Sequence, residues 1–360
     1  MPPSTSPGRP PSLDPARDVL HGAVAAGAFP AAVVEVGTSR DLLWREAFGT
    51  LQPDPGSPDA TADTIFDLAS LTKVIGTTPL VMRHVEAGRL GLDDPVSRRV
   101  PEWRGTDRTG VTVRDLLAHC AGLTAWLPLF RDHVGRADYQ HAIATLPLEY
   151  VPRTQSIYSD LGFILLGFIL EDVGGRPLAD QSAALFGELQ LDPLAFRPPV
   201  SWRDQTAPTE VDPWRGRLLV GEVHDENCWA LGGVSGHTGL FGSVVSVGRF
   251  AQRVLRTLAG GRDLGVGEPT LREFLRKSEV PGSSRALGWD TMLPTSSCGT
   301  RLSAQAFGHT GFTGTSLWID PARDLYVVLL TNPVHPNRTN EAIRSVRPKL
   351  HDAVIEGLEK

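Results

Sequence analysis

Short runs of β-branched and aromatic residues lie near both ends of the chain, and apolar positions at helical spacing fill its middle. AAVVEVG at Ala31–Gly37 and LLWREAFG at Leu42–Gly49 flank a polar turn and predict a hairpin. TSLWID at Thr315–Asp320 and LYVVLLTN at Leu325–Asn332, joined through Pro321–Asp324, predict a second. Helices are expected from Asp14 to near Gly27, over Ser70–Ala87 with Gly88 as a stop, and over Val113–Ala118, Ser159–Val173, Val244–Leu258 and Asn340–Leu358. Strands at both ends around a helical centre imply an α/β (α+β) fold: one mixed, mostly antiparallel sheet flanked by helices, with an all-helical domain inserted. The expected division is a flexible tail at 1–15, a sheet domain at 16–68 and 280–360, and a helical domain at 69–279.

Composition narrows the function classes. With 360 residues, 41% hydrophobic and 21% charged, the chain can bury a core large enough for an enzyme cleft. A formal charge of −6 and the lack of any Lys/Arg run make nucleic acid an unexpected partner. Cys120, Cys228 and Cys298 are widely spaced with no C-x-x-C pair, as expected of free thiols rather than a disulfide framework or a zinc site. Pro and Ser dominate the first 15 residues, where a secretory signal needs an apolar stretch, and Leu161–Leu170 is half a membrane span. The expectation is a cytoplasmic protein without membrane partners, or a periplasmic one if a leader has been removed; oligomeric state is not readable.

Three segments can carry chemistry. Ser70-Leu71-Thr72-Lys73 places a hydroxyl and an amine on one face of a helix opening. A lysine whose pKa is lowered by partial desolvation can take a serine proton, and the free N–H groups at the helix start can stabilise an oxyanion. Only Lys73, Lys277, Lys349 and Lys360 are lysines among 35 Lys+Arg, and arginine cannot serve as the base. The same residues are also consistent with Ser70 as an N-cap and Lys73 lying along its helix. Tyr158-Ser159-Asp160 precedes the apolar run LGFILLGFIL; a phenol near an ammonium can shuttle protons, and a core tyrosine followed by a capping residue fits equally. Gly308-His309-Thr310-Gly311-Phe312-Thr313-Gly314 offers glycines and backbone N–H groups at a strand edge. Its echo, Gly236-His237-Thr238-Gly239, is expected to be a structural turn leading into a helix. His224, with His119, His237 and His309, lacks the H-x-x-x-H spacing of a hydrolytic metal site, so no metal or other cofactor is expected.

Taken in order, these segments resemble the S-x-x-K, Y-x-N and K/H-T-G elements of the serine β-lactamase (class C-like) and penicillin-binding-protein superfamily, over about Ala31 to the C-terminus. Leu116-Leu117-Ala118-His119-Cys120-Ala121-Gly122-Leu123 is similar to a further segment of its class C-like branch, and Ala207–Asn227 to a cleft-side loop. The resemblance implies Ser70 as nucleophile, Lys73 and Tyr158 as acid/base pair, His309, Thr310 and Gly311 lining the cleft, and the N–H groups of Ser70 and Phe312 as oxyanion hole. Asp160 stands where many members have Asn, and His309 where penicillin-directed members have Lys. Both changes are expected to make the cleft more negative. The expected function is therefore hydrolysis of a small carboxylic ester through an acyl-serine, with a D-alanyl-D-alanine carboxypeptidase, a weak β-lactamase or a non-catalytic binding relative as alternatives.

Overall fold

The computed structural model describes residues 12–359. Helix α1 (Asp14–Ala25) leads into strands β1 (Ala31–Gly37) and β2 (Leu42–Gly49). Strand β3 (Phe66–Asp67) is followed by Ser70, a π-helical turn at Lys73–Thr77 and helix α2 (Thr78–Glu86). Helices α3 (Val113–Leu117), α4 (Gly135–Thr145), α5 (Asp160–Gly174) and α6 (Leu178–Glu188) come next. Strands β4 (Leu194–Phe196), β5 (Val211–Asp212) and β6 (Arg217–Leu218), helix α7 (Glu226–Ala230), strand β7 (Leu240–Gly242) and helices α8 (Val244–Leu258) and α9 (Glu268–Leu275) complete the middle. Strands β8 (Asp290–Thr291), β9 (Phe307–Thr310), β10 (Ser316–Asp320) and β11 (Leu325–Thr331) and helix α10 (Ile343–Leu358) close the chain.

The large sheet has the order β2-β1-β11-β10-β9-β8 with every pair antiparallel. Its central strands β1 and β11 are buried at every position because both faces are covered. Successive side chains point to opposite faces. Val33, Val328 and Leu330 therefore join the core shared with the helices, while Val34, Val36, Val327 and Leu329 pack towards α1 and α10. Edge strand β2 buries only Trp44 and Phe48.

Both predicted hairpins form, so the mixed α/β fold with an antiparallel sheet flanked by helices is as read from the sequence. Two details differ. The middle of the chain is not purely helical: β7 pairs with β3 and β4, and β5 with β6, because the apolar blocks there are too short for helices and find partners far away in sequence. The segment Gly236–Gly239 leads into β7, not directly into a helix. Of the tail expected at 1–15, residues 1–11 lie outside the described residues, and α1 already begins at Asp14. The three cysteines are buried and unpaired. Among the described residues no helix is long and apolar enough to cross a membrane.

Candidate active site

After β3 the chain turns sharply into Ser70. Ala69 adopts φ 45°, a left-handed conformation that a residue with a Cβ takes up only under constraint. The constraint is the buried Asp67 carboxylate, which accepts the N–H groups of Ala69 (2.9 Å) and His224 (2.7 Å). Burial pushes the Asp67 carboxyl above its usual range, and the two backbone donors oppose that rise. The turn delivers Ser70 to the wall of a cavity of about 310 Å³.

Two donors meet at this serine oxygen. Lys73 Nζ donates to Ser70 Oγ (3.1 Å), to Asp160 Oδ1 (2.7 Å) and to the carbonyl of His237 (2.8 Å), so its three protons are fully used. The Tyr158 hydroxyl donates to Ser70 Oγ at 2.8 Å. Helix α5 places Tyr158 and Asp160 together: Ser159 caps it, with Oγ accepting Gly162 N–H, and Asp160 opens its first turn. Lys73 is completely buried, and its ammonium lies 5.0 Å from the centre of the Tyr158 ring and 5.5 Å from that of Phe163.

These surroundings correct two sequence expectations. Burial pulls the Lys73 ammonium down, but the Asp160 carboxylate and the Tyr158 oxygen outweigh it, and the net shift is upward. Burial and Asp160 push the Tyr158 phenol up against the pull of Lys73 and of the bond to Ser70. Lys73 lacks the lowered pKa expected of it, and the phenol beside it is raised as well, because each faces a carboxylate that helical spacing could not reveal. Nor does Asp160 leave a net negative charge in the cleft; it is half of an ion pair with Lys73.

Two buried imidazoles support the phenol. His119 Nδ1 accepts the N–H of Ser159 (3.0 Å), and its ring packs 4.7 Å from that of Tyr158. His309 shares Nδ1 with the carbonyl of Thr310 (2.8 Å) and lies 5.7 Å from the Tyr158 ring. Burial holds both far below the usual histidine range, with the nearby Arg285 guanidinium adding to the effect; burial also lowers His351 to about 3. The unfolded chain protonates such residues near pH 6.5, whereas the folded chain keeps them neutral. Stability should be complete above about pH 6.5 and fall as pH drops, by up to roughly 1.4 kcal/mol per unit for each histidine. A melting temperature equal at pH 7 and pH 5 would contradict neutral burial.

The strand-edge loop closes the site from the other side. Gly311 packs so tightly that a Cβ there would come within 2.7 Å of the Leu68 carbonyl oxygen. Thr313 and Thr315 donate to the carbonyls of Asp67 and Leu68, clamping the loop to the serine turn. Behind it, buried Arg347 donates to the carbonyls of Gly311 (3.1 Å) and Thr315 (2.9 Å). Among the described residues the backbone N–H groups of Ser70 and Phe312 have no acceptor, and both residues line the cavity.

Ser70, Lys73, Tyr158 and Asp160 thus form one hydrogen-bonded cluster, and Ser70, Asp160 and Phe312 border the cavity. His309 lies beside Tyr158, and neither it nor Thr310 or Gly311 lines the cavity itself. Of the remaining site residues, those in Ala207–Asn227 fall in the segment whose resemblance implied a cleft-side loop, and Arg338 carried no sequence signal. His224, Asp225, Glu226 and Arg338 form the far wall. Glu210 accepts from His224 Nε2 (2.9 Å) and Arg338 Nε (2.7 Å), and Glu226 accepts from Arg338 (2.8 Å). Burial drives the Glu210 carboxyl up, but His224 and Arg338 overcome it and hold it at about 2. The echo segment is more than a structural turn: its His237 carbonyl receives Lys73, its Gly236 carbonyl receives Thr77 Oγ1 (2.6 Å), and His237 and Thr238 border the cavity. Its Gly-His-Thr-Gly pattern was the available signal.

Residues 16–348 match the family model described as Beta-lactamase. A protein of Escherichia coli named "Putative D-alanyl-D-alanine carboxypeptidase" is 30% identical over 346 residues, covering 85% of this chain and 79% of the relative. Among solved structures, EstCE1, a hydrolase with promiscuous acyltransferase activity, aligns with a TM-score of 0.76 at 23% identity over 95% of this chain and 98% of that one. A class C beta lactamase from Rhodobacter sphaeroides aligns with a TM-score of 0.74 at 21% identity over 96% and 100%.

Proposed function

The chain belongs to the beta-lactamase family, with its class C β-lactamases and penicillin-binding proteins, and from that premise we propose that it hydrolyses small carboxylic esters through an acyl-serine at Ser70. The observation that carries this reading is the convergence of Lys73 Nζ and Tyr158 Oη on one serine oxygen beside two free backbone N–H groups.

In the resting site Lys73 holds its proton. Transfer of that proton over 2.7 Å to Asp160 leaves a neutral amine 3.1 Å from Ser70 Oγ. The amine takes the serine proton as Oγ bonds to the substrate carbonyl carbon, and the N–H groups of Ser70 and Phe312 receive the developing oxyanion. Collapse breaks the bond to the leaving alkoxide, which takes the Tyr158 proton, and Lys73 restores that proton to the phenol. Water then attacks the acyl-serine by the reverse path, releasing the acid. The groups share protons, so the cluster titrates as a unit.

A second reading is favoured by one observation. Arg285 places its guanidinium 5.1 Å from the Tyr158 ring centre and makes no ion pair among the described residues. It supplies a positive charge on the side of His309, which suits a substrate with a terminal carboxylate. A D-alanyl peptide has one, and the carboxypeptidase name of the relative accords with it. The deciding experiment compares p-nitrophenyl butyrate, a D-alanyl-D-alanine peptide and nitrocefin, with intact-mass detection of the acyl-enzyme. The ester reading expects butyrate to lead. If the peptide leads, Arg285→Ala should raise its KM roughly tenfold or more while leaving kcat for butyrate nearly unchanged. An equal effect on both substrates would show that Arg285 does not hold a carboxylate.

A further inference from the structure

Large aromatic side chains usually leave the surface, and where several remain exposed side by side they mark a binding surface. Trp126, Trp214 and Trp229 are 41%, 43% and 38% exposed, and all three belong to one row. Trp126 borders the cavity at Ser70. From there ring follows ring: Phe130 at 6.5 Å from Trp126, Trp214 at 4.5 Å from Phe130, and Trp229 at 5.2 Å from Trp214. At its far end Trp229 also lines a second cavity of about 390 Å³ with Pro198, Val223 and Phe241. The row links the cavity at the serine to another hollow.

The row is rigidly mounted. Fully buried Asn227 accepts Phe130 N–H (2.9 Å) and donates to the Leu127 carbonyl (2.8 Å), fixing the loop that carries the first two rings. Asp212, equally buried, accepts Trp214 N–H (2.7 Å) and pairs with Arg215. Arg215, stacked near both Trp214 and Trp229, spends its remaining donors on Glu222 and the carbonyls of Val223 and His224. It has little left to offer a ligand hydroxyl or carboxylate. Successive rings tilt by 48°, 59° and 87°. Such a strip is corrugated, unlike the flat platform on which a sugar or a base stacks, and it suits a narrow flexible chain of methylenes.

We propose that this strip is an acyl-chain subsite that selects esters whose acyl group carries a long linear hydrocarbon. The proposal rests on the acyl-serine reading of Ser70. An acyl carbon bound at Ser70 Oγ has its chain leading past Trp126 onto the row, and the pre-ordered rings receive it without first paying an ordering penalty. Each methylene withdrawn from water is worth roughly threefold to fourfold in kcat/KM.

The test is a series of p-nitrophenyl butyrate, hexanoate, octanoate and decanoate below their aggregation limits, read as kcat/KM and as acyl adduct by intact mass. The wild type should favour decanoate over butyrate by on the order of a thousandfold. Trp214→Ala and, as a separate variant, Trp229→Ala should each reduce that ratio about tenfold or more, with Trp214→Leu retaining most of it. A ratio near unity in the wild type, or one unchanged in both alanine variants while Ser70 still acylates, overturns the subsite, and the strip would then be a surface for another macromolecule. No ester turnover and no adduct at Ser70 with any chain length would overturn the acyl-serine reading and the subsite with it.

Discussion

Ser70→Ala should abolish the acyl-enzyme and lower kcat on the best substrate by a factor on the order of 10⁴ or more, since the remaining oxyanion donors and binding contacts sustain only a residual rate. Ser70 Oγ is the one atom to which both Lys73 and Tyr158 donate and which also borders the cavity. Fold stability should change little. Lys73 keeps Asp160 and the His237 carbonyl as acceptors, and the Tyr158 hydroxyl is left facing the space the hydroxymethyl vacates. A fluorophosphonate probe should label the wild type and not the variant. Labelling that survives, or kcat within tenfold of the wild type, would place the nucleophile elsewhere.

The second large effect concerns the ion pair behind the serine. Lys73→Ala and Tyr158→Phe should each lower kcat by on the order of a hundredfold or more, and the double variant by much less than the product, because both residues serve one proton path. Multiplicative losses would separate them. Asp160 controls the path through charge. Asp160→Asn keeps an acceptor for Lys73 but removes the carboxylate, so burial is no longer outweighed and the Lys73 pKa should fall below the ordinary lysine value.

The linkage then reverses. In the wild type the folded pKa lies above the unfolded one, so the contribution of Lys73 to stability is complete below about pH 10.4 and is lost as pH rises through the folded value. In Asp160→Asn the folded pKa lies below the unfolded one, and stability should rise with pH between the two. Melting temperatures from pH 7 to 10.5 distinguish these slopes, and the acid limb of kcat/KM should move to lower pH in the same variant. Asp160→Ala, which also removes the acceptor, leaves a buried ammonium without a counter-charge and should destabilise the fold by about 3 kcal/mol. Parallel pH profiles for wild type and Asp160→Asn would show that the carboxylate does not set the protonation of Lys73.

Much of the architecture was legible because it is encoded locally. β1 and β11 are almost unbroken apolar runs, as suits strands covered on both faces, and the turn residues between paired runs announce the hairpins. Ser70 and Lys73 are three residues apart, and a helical turn suffices to bring them together. The order of the three motifs carried the family resemblance, and Tyr158, 88 residues from Ser70, was identified through it.

What the chain alone left undecided depends on groups distant in sequence and on what burial does to charge. Spacing brought Lys73 to the serine, but the proton of this fully buried ammonium is governed by a carboxylate 87 residues on and a carbonyl 164 residues on. A desolvated amine and an ion-paired ammonium have the same local sequence; only the packed site separates them. The same holds for Gly236–Gly239, which looked like a turn until its carbonyls met Lys73 and Thr77. Arg285, Arg338 and Arg347 sit in no motif, because an arginine is given its role by whichever carboxylate, carbonyl or ring the fold sets before it. Periodicity and spacing determined the elements and the serine–lysine pair, whereas the protonation of that pair, the lining of the cavity and the aromatic row leading from it were decided by tertiary packing, since electrostatic energies depend on distances and burial that a linear order does not contain.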